Sequence, residues 1–297
     1  MKFLLLLAIL VLFPATIAAG SPASIRIVDD LNREVILPRP ATRIVSLVPS
    51  HTEILFALGA DDQVVGVDEY SNWPKAAQSK PQVGNLNGIN YEMILALQAD
   101  LVLVLTSHQN QGVIERLTDL GIPVLALEAQ SMAETYETIA TLGTVTGCDA
   151  QAEELISQMQ ARVAAVIEAT SGLPAVPVFY EVWHDPLMTA GPGSFIQELI
   201  ELAGGRNIAE DAASAWPTFS LESLIQRDPQ VIITSFEQTI ADLDSGARPQ
   251  WQTLSAVRNG RYYLIDPDII GRPGPRIVDG LEAIAAMIHP KALEAHE

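Results

Sequence analysis

Apolar and polar positions alternate with period two in some blocks of the chain and with helical period in others. The segment SIRIVDDLNREVILP alternates and carries a turn at Asp30–Asn32, which predicts a short hairpin. RIVSLV (Arg43–Val48) reads as a buried strand, ended by Pro49. Ser50 and Glu53 have capping-box spacing, and the helix HTEILFALG closes at Gly59. VVGV (Val64–Val67) is a second strand, NYEMILALQ a short helix starting near Asn90, and DLVLVL (Asp100–Leu105) a third strand. A helix over Val113–Leu120 and the strand PVLAL complete a first α/β unit. From Ala150 to Thr170 the apolar positions Leu155, Ile156, Met159, Val163, Val166 and Ile167 recur at helical spacing, predicting a stiff rod.

The second half repeats the first. VPVFYEV (Val176–Val182) is a strand, Ser194 and Gln197 form another possible capping box, and the helix FIQELIELAG ends at Gly204 and Gly205. SLESLIQ (Ser220–Gln226) corresponds to NYEMILA, and PQVIITS to ADLVLVL. A last helix runs from about Arg276 to Ile288. The predicted fold is α/β: two Rossmann-like lobes, each a parallel sheet wrapped by helices, joined by a single long rigid helix. The expected boundaries are a signal peptide over 1–20, an N-terminal lobe over 21–148, the connecting helix over 149–172 and a C-terminal lobe over 173–297.

In such sheets ligands bind outside the carboxyl ends of the strands. The loops at that edge include VPSH (Val48–His51), DEYSNWP (Asp68–Pro74), WHDPLMTAGPG (Trp183–Gly193), AWPTF (Ala215–Phe219) and DPDIIGRPGP (Asp266–Pro275). Tyr70, Trp73, Trp183 and Trp216 all fall on them, leaving Trp251 as the one tryptophan elsewhere. Aromatics gathered on edge loops suit a large flat organic ligand; packing between the lobes is the alternative for any one of them.

Charge and the first residues narrow the class. Acidic residues outnumber basic ones 36 to 17, a surface that repels phosphate backbones, so no nucleic-acid partner is expected. Lys2, the apolar run Phe3–Phe13 and the small residues ATIAAGS read as an export signal cleaved after Ala18 to Gly20. The run is too short to span a membrane, which needs about 20 residues; a buried helix or an uncleaved anchor is the alternative. Ala18, Ala19, Gly20 and Ser21 stand where a lipid-anchor signal would place a cysteine, so a soluble periplasmic protein is expected. The single cysteine, Cys148, cannot form an internal disulfide and reads as a small packed residue.

SLVPSHTEILFALGADDQVVGV, YEVWHDPLMTAGPGSFI, ELAGGRNI and RPGPRIVDGLEAIAAMIHP together resemble the periplasmic binding proteins for cobalamin and iron–siderophore complexes, over about Arg26 to Pro290. Within that group the chain looks most like the cobalamin-binding proteins of corrinoid ABC importers. The resemblance implies the class III periplasmic binding protein type of fold, no enzymatic activity, no resident cofactor and a corrinoid as bound ligand. It implies ligand contacts at Tyr70, Trp216, Asp268 and Arg272, with Pro49, Ser50 and His51 on the leading loop. Leu86 and Met188 stand where the family has a tryptophan and a phenylalanine, and Trp73 and Trp183 are the compensating candidates. Glu92 and Glu222 occupy equivalent places in the two half-repeats. A carboxylate near a helix N-terminus is stabilising through the dipole alone. In the family an acid at each position docks onto arginines of the permease, so a membrane permease dimer is the implied partner of a monomeric protein.

Other readings stay open. Iron–siderophore or haem could replace the corrinoid. His51, His108, His184 and Asp268 could hold zinc or manganese, although spread-out histidines are more often locally bonded. An exported hydrolase or cofactor-binding enzyme is the rival of another class. GPG at Gly191–Gly193 precedes a helix like a weak anion cradle, but the Walker lysine, the dinucleotide fingerprint, a nucleophile elbow and HExxH are all missing, and His184–Asp185 is an unspecific pair.

Overall fold

The computed structural model describes residues 24–85, 88–107 and 110–293. The signal-peptide segment, Leu86, His108 and the last residues lie outside them. The predicted hairpin forms from β1 (Ile25–Val28) and β2 (Glu34–Leu37), turning through Asn32 at φ 57°. The N-terminal lobe follows: β3 (Ile44–Ser46), α1 (Pro49–Ala57), β4 (Val64–Val67), the short pair β5 (Gly84–Asn85) and β6 (Gly88–Ile89), α2 (Tyr91–Ala96), β7 (Leu101–Val104), α3 (Gln111–Asp119), β8 (Val124–Ala126) and α4 (Met132–Thr146). Its sheet runs β4-β3-β7-β8, all parallel. Every residue of β3, β7 and β8 is buried, as expected of strands covered on both faces.

The rod is α5 (Asp149–Thr170). The C-terminal lobe comprises β9 (Val176–His184), β10 (Leu187–Thr189), α6 (Phe195–Leu202), β11 (Gly205–Asn207), α7 (Leu221–Arg227), β12 (Val231–Thr234), α8 (Glu237–Ser245), α9 (Ser255–Arg258), β13 (Tyr262–Leu264), α10 (Pro267–Gly271), α11 (Ile277–Ile288) and α12 (Pro290–Leu293). Its sheet is mixed rather than purely parallel. The long strand β9 takes β12 on one edge; on the other, β11 pairs in parallel with its first half and β10 folds back antiparallel on its second. The nine residues of β9 leave room for both short partners.

Two local expectations are corrected. Ser50 and Glu53 do not form a capping box: α1 starts two residues earlier, at Pro49, with Val48 in place of Ser50 as N-cap and no side-chain cap. Proline needs no N–H partner at the first helical position, so the helix extends over it and both side chains become helix-interior and buried. Ser194 does cap α6, accepting from the Gln197 N–H at 3.2 Å, but the Gln197 side chain turns to Glu201 and Asn207 instead of closing the box.

Helix α4 escapes a hydropathy reading because threonines and a glycine fill much of its buried face: Thr135, Thr138, Gly143 and Thr146. The Thr135 and Thr146 hydroxyls donate to carbonyls of the preceding turn, which satisfies them without water. Gly143 lets α5 approach closely; a Cβ there would sit 2.6 Å from the Ala152 Cβ. Arg162 of α5 binds Asp279 (2.7 Å) and Glu282 (2.6 Å) of α11. A single apolar cluster runs from Ile44, Leu101 and Leu103 through Met159 and Val166 to Val178, Val231 and Leu281. The rod is therefore packed into the cores of both lobes, and a large hinge motion would expose apolar surface.

Candidate ligand cleft

The two lobes meet where α1 and the loop after β4 touch the segment that follows β13. In the N-terminal lobe a buried polar cluster pins the loop after β4. Thr52 donates to Ser46 Oγ at 2.9 Å and lies 2.8 Å from Ser71 Oγ. Ser71 donates in turn to Asp68, which also accepts from the Tyr70 N–H at 3.2 Å. Burial pushes the Asp68 carboxyl above the usual carboxylate range, against the lowering effect of these bonds. The pinned loop carries Tyr70 and Trp73, which remain 46% and 48% exposed.

In the C-terminal lobe the turn from β9 into β10 carries Trp183. Met188 pairs with Trp183 across it and bridges to Thr218, which draws the Trp216 segment into the same edge. Trp183 lies 4.9 Å from His184 and 5.5 Å edge-on from Phe236, and its indole N–H donates to the Asp185 carbonyl at 2.9 Å. Trp183 and Trp216 are 44% and 48% exposed. Phe236, directly after β12, was not among the predicted site residues; its place immediately past a strand's carboxyl end was the signal available. Trp251 is buried against Phe179, with Arg248 over its ring. A cavity of about 270 Å³ opens between Glu128 and Gln130 of one lobe and Phe195, Trp216 and Pro273 of the other. A larger hollow of about 520 Å³ adjoins it at Glu128 and Gln130, but its wall of Asp30, Glu134 and Glu137 carries no aromatic ring.

Asp268 and Arg272 stand at the meeting of the lobes. Arg272 pairs with Asp268 at 2.8 Å, donates to Asn72 Oδ1 at 2.7 Å and to the Tyr70 carbonyl at 3.3 Å, and reaches Glu53 at 3.2 Å. Asn72 donates back to Asp268 at 3.2 Å. Arg276 binds Glu53 through two bonds of 2.8 and 2.6 Å and lies 4.7 Å from the Trp73 ring.

Not every predicted site residue reaches the cleft surface. Ser50 and His51 are buried, and Pro49 is half-buried. Burial pushes the His51 imidazole down to about 3, and its Nδ1 has no hydrogen-bond partner among the described residues. His184 is exposed beside Trp183, His108 lies outside the described residues, and Asp268 is paired with Arg272. Among the described residues no group of three His, Cys, Asp or Glu side chains is placed to hold a metal ion. Leu86 falls outside the described residues. Cys148 is buried and unpaired at the start of α5.

Glu92 and Glu222 lie in the first turns of α2 and α7, both exposed. Each follows a capping side chain, Asn90 onto the Met93 N–H (2.9 Å) and Ser220 onto the Ser223 N–H (3.0 Å). Among the described residues neither carboxylate has an ion-pair partner.

Comparison with known proteins decides the family. A model described as "Periplasmic binding protein" matches residues 44–269. The chain belongs to the periplasmic binding protein family. It is 33% identical over 269 residues to the "Uncharacterized ABC transporter substrate-binding lipoprotein YvrC" of Bacillus subtilis, covering 88% of this chain and 84% of that one. It is 30% identical over 252 residues to the "Vitamin B12-binding protein" of Vibrio cholerae, covering 84% and 90%. Among solved structures, the periplasmic vitamin B12 binding protein BtuF of Vibrio cholerae superposes with a TM-score of 0.74 at 30% identity, over 86% of this chain and all of that one. A possible iron-binding, periplasmic solute-binding protein of Staphylococcus epidermidis superposes with a TM-score of 0.76 at 32% identity, over 84% and 98%. The class III fold follows, as does membership of a family of transport proteins that bind a small molecule and work with a membrane permease. No helix among the described residues is long and apolar enough to cross a membrane.

Proposed function

We propose that this periplasmic binding protein captures cobalamin or a related corrinoid between its lobes and delivers it to an ABC importer. The supporting observation is the set of half-exposed rings Tyr70, Trp73, Trp183 and Trp216 on strand-end loops of the two lobes, together with the Asp268–Arg272 pair where the lobes meet. Aromatic rings gathered on strand-end loops suit a broad planar macrocycle, and the ion pair offers hydrogen bonds to amide groups on its periphery. Glu92 and Glu222, one per lobe and free of ion-pair partners among the described residues, serve as docking points for arginines of a two-fold permease. The protein works as an exported, soluble monomer without enzymatic activity or resident cofactor, its signal peptide removed after Ala18 to Gly20. Mass spectrometry of the mature N-terminus tests the cleavage, and a lipid-modified form would refute the soluble state.

The experiment for the ligand is titration of tryptophan fluorescence with cyanocobalamin, cobinamide, haem and a ferric siderophore. Saturable binding of a corrinoid supports the reading. A second reading, an iron complex, draws on the likeness to the Staphylococcus epidermidis protein. Binding of haem or ferric siderophore with no corrinoid binding would replace the first reading by the second.

A further inference from the structure

The cleft contains one charged group that neither the aromatic walls nor the docking carboxylates account for. Glu53 sits inside α1 and is only 3% exposed. A buried carboxylate is tolerated only with charged or hydrogen-bonding partners. Both of its partners come from the other lobe: Arg276 grips it with two bonds of 2.8 and 2.6 Å, and Arg272 adds a third at 3.2 Å. Each arginine then touches a cleft residue. Arg276 lies over the Trp73 ring, while Arg272 holds Asn72, the Tyr70 carbonyl and Asp268.

We propose that Glu53 is the positioning residue of the cleft. Through Arg272 and Arg276 it sets the separation of the two lobes before any ligand arrives, and it orients Trp73 and Arg272 toward the ligand. The connecting helix α5 ties the lobes through their cores; Glu53 ties them at the mouth. Loss of its charge leaves Arg276 without its counter-charge and Arg272 with Asp268 alone, so the mouth loosens while the cores of the lobes stay packed.

The test uses the full mature chain without ligand. Spin labels are placed on exposed helix positions of the two lobes by Glu115→Cys and Gln238→Cys, with Cys148→Ser to remove the native thiol, and the interlobe distance distribution is measured by pulsed EPR. Glu53→Gln should broaden the distribution and shift it to longer distance, with the far-ultraviolet CD spectrum unchanged. Arg276→Gln, which alters a side chain nearer the surface, should shift it in the same direction and less. If Glu53→Gln does not fold, Arg276→Gln decides alone. Distributions that superpose on that of the wild type would overturn the proposal, because a merely stabilising role lowers the melting temperature without moving the lobes. The distances are read without ligand, so failure of corrinoid binding does not decide this test.

Discussion

His51 offers a prediction whose size follows from its surroundings. The ring is 2% exposed on α1, and its Nδ1 has no partner among the described residues. A proton there would place a charge in a site with little to solvate it, so the folded protein keeps the imidazole neutral down to about pH 3. In the unfolded chain the same group takes up its proton near pH 6.5. Between those values the unfolded state binds more protons, so stability falls as pH falls. The contribution is fully present above about pH 6.5 and is lost at about 1.4 kcal/mol per pH unit below it, a total loss of roughly 5 kcal/mol by about pH 3. Carboxylates titrate over part of the same range, so the effect has to be isolated by difference. Urea unfolding of the wild type and of His51→Gln, measured between about pH 7.5 and 4.5, serves that purpose. Glutamine cannot take up a proton, so whatever it costs in packing should not vary with pH. The wild-type advantage should therefore shrink by about 1.4 kcal/mol for each pH unit below about 6.5. A stability difference that stays flat across the range would refute the reasoning.

Other tests address the cleft, the docking points and the rod. Trp216→Ala should weaken corrinoid binding by about tenfold, equivalent to about 1.4 kcal/mol, in a fluorescence or calorimetric titration; unchanged affinity would remove this ring from the site. Glu92→Ala with Glu222→Ala should leave ligand affinity intact and abolish uptake into cells dependent on the imported ligand, and unchanged uptake would refute docking through these carboxylates. Gly143→Ala should destabilise the fold by about 1–3 kcal/mol, because the new methyl group meets Ala152 at 2.6 Å. Adding Ala152→Gly should recover part of that loss in thermal melts, and two losses that simply add would show that the helices do not meet there.

Much of the architecture is legible in the chain. Strands such as Leu101–Val104 and helices such as Asp149–Thr170 announce themselves because a covered sheet or a packed rod needs apolar residues at fixed intervals. The turn at Asn32 and the stops at Gly59 and Gly204 rest on local backbone chemistry, and they stand where the sequence places them. The start of α1 differs from the expectation because Pro49 is accommodated at the first helical position, which moves the N-cap from Ser50 to Val48. Helix α4 hides because threonines bonded to their own backbone can fill a buried face that a hydropathy pattern reserves for aliphatic residues.

The site divides along the same line. That four large aromatic residues sit on strand-end loops is a property of residue order, since in a repeated α/β unit the loop after each strand lies at the same edge. Which side chains face one another is not. Residues about two hundred positions apart, Asn72 with Arg272 and Glu53 with Arg276, meet only because two sheets are locked face to face by a shared core. The same packing buries His51, which residue type alone offers as a ligand, and leaves Trp73, Trp183 and Trp216 about half exposed. Local sequence sets which elements form and where their loops point, because those depend on neighbours along the chain. Burial and pairing of charged groups depend on neighbours in space, and those exist only once the lobes have packed.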